Sequence, residues 1–120
     1  MKKLVLIAED DQAIVEVMNI ILTEAGYETA VIAEGNGVIS AVKERKPDLL
    51  LLDIWLSGED GGELAKKLKA DEVTRDVSVV MISANTETEQ IAKDSGADGF
   101  LRKPFDIDEF LATVKRYASS

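Results

Sequence analysis

Three stretches of this chain, residues 3–8, 49–52 and 77–82, are almost continuously apolar and of strand length. Runs of that kind suit strands buried on both faces, as in a parallel sheet covered by helices. A fourth stretch, residues 27–32, is diluted by Glu28 and Thr29, and a fifth, residues 99–101, is short. Both suit the edges of a sheet. Between the strands the apolar period becomes helical. Ile14, Val17, Met18, Ile21, Leu22 and Ala25 define a first helix stopped by Gly26. Val38, Ile39, Ala41 and Val42 face inward from a second over residues 36–45, ended by Pro47, and Leu64, Ala65 and Leu68 mark a third. Proline and glycine stop helices for steric and conformational reasons. Thr86 and Glu89 have the spacing of a capping box and predict a fourth helix over residues 86–94, with Ile91 and Ala92 as its only inward apolar residues and Gly96 at its end. Asp106 and Glu109 form the acidic start of a fifth, whose stripe is Ile107, Phe110, Leu111, Val114 and Tyr117.

Five strands alternating with five helices imply an α/β doubly wound domain, a parallel sheet with helices on both faces. Right-handed crossovers bring all five strand ends to one edge of the sheet. With strands one, three and four central, the order is 2-1-3-4-5, and its switch point lies between strands one and three. Glu9 and Asp10 follow strand one and Asp53 ends strand three, so three carboxylates fall at that point. Ser83 follows strand four and Lys103 follows strand five.

Composition narrows the chemistry. A length of 120 residues fits one domain, residues 1–120. The net charge of −9 repels nucleic acid, so direct nucleic-acid binding by this domain is not expected. No apolar run approaches a membrane span, and Glu9, Asp10 and Asp11 cut the first one short. There is no cysteine, which excludes thiolate chemistry, and nothing requires secretion; the cytoplasm is the expected location. There is no histidine either, so the chain cannot carry a phosphohistidine of its own.

Carboxylates gathered in one crevice repel each other, and burial disfavours their charged forms. A divalent cation with oxygen ligands would compensate; Mg²⁺ commonly uses one or two carboxylates with waters and phosphate oxygens. Lys103 adds a positive charge and Ser83 a hydroxyl. A carboxylate, a cation, a lysine and a hydroxyl suit phosphoryl transfer to an aspartate, with Asp53 attacking in line. Each residue alone has a plainer explanation. Asp53 can simply end a strand. Glu9, Asp10 and Asp11 can be a solvated turn with Asp11 as a helix cap. Ser83 can be a turn residue and Lys103 a surface charge. Their joint placement at the ends of strands one, three, four and five is what favours chemistry.

These residues resemble the receiver domains of two-component response regulators over essentially the whole chain. The matching elements are Glu9-Asp10, Asp53, Asp60-Gly61, Ser83-Ala84 and Lys103-Pro104-Phe105. The resemblance implies that Asp53 accepts a phosphoryl group from a histidine kinase or histidine phosphotransfer protein. It implies Mg²⁺ held by Glu9, Asp10, Asp53 and the backbone carbonyl of Trp55, and phosphoryl contacts from Ser83 and Lys103. Ser83 and Phe100 would be the switch pair, and Lys103-Pro104 a candidate cis peptide bond. The domain would then be a switch that promotes its own phosphorylation and dephosphorylation, not a conventional enzyme. Output to an effector domain or protein would leave through helix four, strand five and helix five.

The chain departs from the family pattern at Ser57, where many members carry proline, and Phe100 lacks a tyrosine hydroxyl. Three other functions compete. A flavodoxin-like cofactor module would need hydroxyl- and glycine-rich loops around a phosphate, where this chain has Glu9, Asp10 and Asp11. A Mg²⁺-dependent aspartyl phosphatase would need a second acid near Asp53, and residues 54–56 are Ile, Trp and Leu. A receiver that is never phosphorylated would not need the complete set. The sequence leaves open whether the domain stands alone or belongs to a longer regulator.

Overall fold

The computed structural model describes residues 2–56 and 58–118. Five strands, β1 (Leu4–Ala8), β2 (Glu28–Ile32), β3 (Leu49–Asp53), β4 (Ser78–Ser83) and β5 (Gly99–Arg102), form one parallel sheet of order β2-β1-β3-β4-β5. Five helices connect or follow them: α1 (Gln12–Glu24), α2 (Val38–Arg45), α3 (Gly61–Ala70), α4 (Thr88–Ser95) and α5 (Ile107–Ala118).

The unbroken apolar runs follow from two-sided burial. Successive side chains on a strand point to opposite faces. Leu49 and Leu51, with Val5, Ile7, Val80 and Ile82, pack toward Met18 and Leu22 of α1 and Phe110 and Val114 of α5. Leu50 and Leu52, with Leu6, Val79 and Met81, pack toward Val38 and Val42 of α2 and Leu64, Ala65 and Leu68 of α3. All four leucines of β3 are essentially inaccessible to solvent. Burying each stabilises the fold by about 1.5–3 kcal/mol, which makes β3 a firmly anchored support for the residue at its end. β2 is the edge that its polar residues foretold, with Glu28 and Val31 exposed.

Several local expectations are corrected. The capping box does not form. Asn85 Oδ1 accepts the Glu87 N–H at 2.7 Å, Ser83 Oγ accepts the Asn85 N–H at 3.1 Å, and the Thr88 hydroxyl donates to the Asn85 carbonyl. The Thr88 N–H, which a cap at Thr86 could accept, donates instead to the Asn85 carbonyl at 3.2 Å, and α4 starts at Thr88 with no side-chain cap. Its inner face is also more polar than expected: Thr88, Ala92 and Ser95 are buried, while Ile91 is only partly so. A 3₁₀ turn, Gly35–Gly37, precedes α2 and delays its start to Val38. Ile107 and Val17, assigned to inner stripes, are 57% and 54% exposed. The loop after β3 contains an antiparallel ribbon, Trp55–Leu56 paired with Glu59–Asp60, which has no apolar alternation long enough to announce it. Ser57, the departure from the family pattern, lies outside the described residues.

Candidate functional site

Strand register brings the carboxylates together. Ala8 lies opposite Leu52 across β1 and β3, so Glu9 and Asp53, one step further, are neighbours at the switch point. Helix α1 begins directly beyond, with Asp11 Oδ1 accepting the N–H groups of Ala13 and Ile14 as the sequence suggested. On the other side Asp53 pairs with Ile82 and Ser83 with Arg102, and the Lys103 N–H donates to the Ser83 carbonyl at 2.9 Å. Four strand ends therefore place Glu9, Asp53, Ser83 and Lys103 along one edge. The peptide bond between Lys103 and Pro104 is cis.

Glu9 is buried, with only 3% of its surface exposed, and it is fully engaged. Its Oε1 accepts from Lys103 Nζ at 2.7 Å, and its Oε2 accepts the N–H groups of Asp10 and Asp11 at 3.1 and 3.2 Å. Asp53 is half-buried beside it and lies close enough to hydrogen-bond the Glu9 carboxyl. Burial, then the negative charge of Glu9, push the Asp53 carboxyl up from 3.8 to about 7, against the opposing pull of Lys103 and the Trp55 N–H. At neutral pH Asp53 thus holds a proton for much of the time.

Glu9, Asp10 and Asp53 each present a carboxylate oxygen within 4.8 Å of the others. Oxygen ligands of Mg²⁺ sit at roughly 2.0–2.1 Å, so two of them lie at most roughly 4.2 Å apart. Side-chain rotation of tenths of an ångström closes the difference. The donor set is hard and anionic, and its main defect is self-repulsion, which a divalent cation relieves. The residues fit the ion.

The other expected members sit around this group in different ways. Ser83 is part-buried, and its oxygen takes the Asn85 N–H, leaving the hydroxyl proton to be donated. The Trp55 N–H donates to Asp53, and its side chain is exposed. Phe100 faces outward from β5, above a depression formed with Ala112, Thr113, Arg116 and Tyr117. Residue chemistry alone did not point to two further contributors. Gly61 passes so close to the end of β3 that a Cβ there would strike the Asp53 carbonyl and lie 2.9 Å from the Ile54 carbonyl. Its N–H donates to that Ile54 carbonyl at 2.5 Å. Asp60 caps α3 by accepting the Gly62 N–H at 2.8 Å. The Asp60-Gly61 pair was the available signal, and a strand-following Asp-Gly reads equally well as an ordinary turn.

An apolar groove of about 450 Å³ adjoins the site, lined by Ala13, Ile14, Val17 and Met18 of α1 and by Pro104 and Phe105. Ala84 and Lys103 line it too, so the groove and the crevice share a wall.

Comparison with known proteins agrees with this geometry. The model of the response regulator receiver domain matches residues 5–115. The DNA-binding response regulator MtrA of Mycobacterium tuberculosis is 38% identical over 117 residues, which cover 96% of this chain and 50% of MtrA. The chain thus spans about half the length of that relative. Among solved structures, the chemotaxis response regulator CheY4 of Vibrio cholerae superposes with a TM-score of 0.89 at 26% identity, covering 98% of this chain and 99% of that one. The receiver domain of the sensor histidine kinase PA1611 of Pseudomonas aeruginosa superposes with a TM-score of 0.90 at 24% identity over the full length of both chains. That structure holds a magnesium ion in its active-site cleft, and at this identity the likeness is one of fold.

Proposed function

Because the chain belongs to the receiver-domain family of response regulators, signalling switches of two-component systems, we propose that residues 1–120 form one such switch and that Asp53 is its phosphoacceptor. A carboxylate oxygen of Asp53 attacks the phosphorus of a phosphohistidine on a sensor kinase or phosphotransfer protein. The O–P bond forms, the P–N bond breaks, and its electron pair returns to the imidazole. Glu9, Asp10, Asp53 and the Trp55 carbonyl are the groups that would hold Mg²⁺, which when bound neutralises charge on the phosphoryl oxygens. Asp53 must first give up its proton. Lys103 exchanges Glu9 for a phosphoryl oxygen, and the Ser83 hydroxyl donates to another. The observation that carries the reading is the position of Asp53: half-buried at a rigid strand end, beside both a buried carboxylate and the lysine that pairs with it.

The donor must bring its imidazole to Asp53, so its carrier has to cover the adjoining surface. The groove beside Lys103 is apolar and open, and suits the apolar face of a donor helix. Output is assigned to the face of α4, β5 and α5, through inward movement of Ser83 and Phe100 and a population shift between two packings. The receiver of that output is an effector domain or protein. The net charge of −9 disfavours direct nucleic-acid contact by this domain. We assign the exchange to the cytoplasm, as the family's phosphotransfer implies.

Incubation with acetyl phosphate and Mg²⁺, followed by intact-mass measurement, tests the acceptor. One phosphoryl group should appear on the wild type and none on Asp53→Asn. Equal labelling of both removes Asp53 from the role.

A further inference from the structure

The ribbon after β3 carries part of the site away from the sheet and touches a loop distant in sequence. The Trp55 N–H donates to the Asp53 carboxylate. Trp55 pairs with Asp60, and Leu56 with Glu59. The ribbon is held at its base by the Gly61 N–H on the Ile54 carbonyl and by Leu56, which is wholly buried. On its far strand Glu59, exposed to solvent, rests its side chain against Gly35 in the 3₁₀ turn after β2. Gly35 is buried although its neighbours Glu34 and Asn36 are exposed. A Cβ on Gly35 would stand 2.9 Å from Glu59 Cβ and closer still to a carboxylate oxygen. The oxygen could swing away. The Cβ is fixed to the ribbon backbone and moves only if the ribbon moves.

We propose that the contact between Gly35 and Glu59 is a brace that sets where the ribbon carries the Trp55 backbone relative to Asp53, making both of them positioning residues for the acceptor site. The proposal rests on the acceptor reading above and deepens it. The segment between β2 and α2 acts from outside the crevice, yet its backbone fixes how close the ribbon comes. Small displacements matter here, since a misplacement of about 1 Å in a reacting assembly can cost about 100-fold in rate.

A coupling experiment separates this from a simple stability effect. Gly35→Ala, Glu59→Gly and the double variant are compared with wild type. Three quantities are read: Mg²⁺ affinity from Trp55 fluorescence, the acetyl phosphate labelling rate, and amide hydrogen exchange of residues 55–60 without Mg²⁺. Gly35→Ala should weaken Mg²⁺ binding and slow labelling by about three- to tenfold and speed exchange in the ribbon, a displacement well short of a full ångström. In the Glu59→Gly background the same alanine should cost nothing, because the group it strikes is gone. Equal losses in both backgrounds, or no loss from Gly35→Ala, would overturn the brace. Should Gly35→Ala not fold, Glu59→Gly alone decides: faster exchange at Trp55 supports the brace, and unchanged exchange refutes it. Failure of the acceptor reading looks different, since the wild type itself would then neither label nor bind Mg²⁺, while the exchange comparison would still report on the brace.

Discussion

Replacing Asp53 by asparagine should make the metal-free protein more stable, by an amount that depends on pH. The folded chain holds the Asp53 proton up to about pH 7, whereas the unfolded chain releases it near pH 3.8. Below pH 3.8 both states are protonated and there is no penalty. Between pH 3.8 and about 7 the folded state binds more protons than the unfolded one, so stability falls as pH rises. Above about 7 both states are ionised and the full penalty of the buried charge is present. Each tenfold difference in proton affinity corresponds to about 1.4 kcal/mol. Full conversion would overstate the case, because the carboxyl is only half-buried and solvent screens it. A discounted penalty of about 1–2 kcal/mol is therefore expected. Asparagine carries none of it and keeps an oxygen for the Trp55 N–H.

Urea unfolding of wild type and Asp53→Asn in EDTA, from about pH 4 to about pH 8.5, measures this directly. The two curves should have similar m-values, since the surface exposed on unfolding is the same. The variant's advantage should be small at about pH 4, grow through about pH 5–7 and level off above about pH 8. Titrating groups that do not interact with Asp53 cancel in the difference. An advantage that does not change with pH, or a variant less stable than wild type at the alkaline end, would refute both the repulsion and the raised carboxyl.

Three further outcomes are expected. Mg²⁺ should raise the melting temperature and alter the emission of Trp55, with apparent affinity increasing from about pH 6 to about pH 8 as the Asp53 proton is lost; titrations at both pH values check it. Lys103→Met should destabilise the metal-free protein by about 3 kcal/mol, because it leaves the Glu9 carboxylate buried without its partner, and chemical denaturation would show this. Val17→Asp should slow phosphoryl transfer from a phosphohistidine-bearing partner at least tenfold while acetyl phosphate labelling is unchanged; equal slowing of both would place the effect on the acceptor instead of the groove.

The sheet was legible because burial on two faces leaves an unmistakable mark. The four leucines of β3 alternate between two cores, so every position in the run had to be apolar. Strand ends then followed, and with them the grouping of Glu9, Asp53, Ser83 and Lys103. What was not legible depends on short-range competition or on tertiary contact. Thr86 and Glu89 have the right spacing for a cap, but the Asn85 carbonyl takes the Thr88 N–H first. The outward turn of Ile107 is set by how α5 packs, which periodicity fixes only to within part of a turn. The nearness of Gly61 to Asp53, and of Gly35 to Glu59, leaves no pattern in sequence beyond an ordinary glycine.

The ion pair of Lys103 with Glu9 bears on why phosphoryl acceptance should require a metal at all. Three carboxylates and one lysine leave the crevice two negative charges in excess, and the proton on Asp53 halves that. The resting site is thus close to self-compensated, which explains how the sheet tolerates it. On the acceptor reading, the compensation also occupies the groups that phosphoryl transfer would use: Asp53 is blunted by its proton, and Lys103 is committed to a carboxylate that is 3% exposed. Lys103 can leave Glu9 only when another positive charge takes its place, because an unpaired buried carboxylate costs several kcal/mol. The same charge favours the ionised form of Asp53 at neutral pH, where the carboxyl otherwise holds a proton for much of the time. Both roles are filled by one divalent charge among Glu9, Asp10 and Asp53. On the acceptor reading, metal binding and the freeing of the nucleophile and the lysine are therefore a single thermodynamic event. Lys103→Met, which has no lysine to release, should retain Mg²⁺ binding and bind it at least as tightly as wild type, while its labelling by acetyl phosphate falls. A variant that lost Mg²⁺ affinity together with labelling would break that linkage.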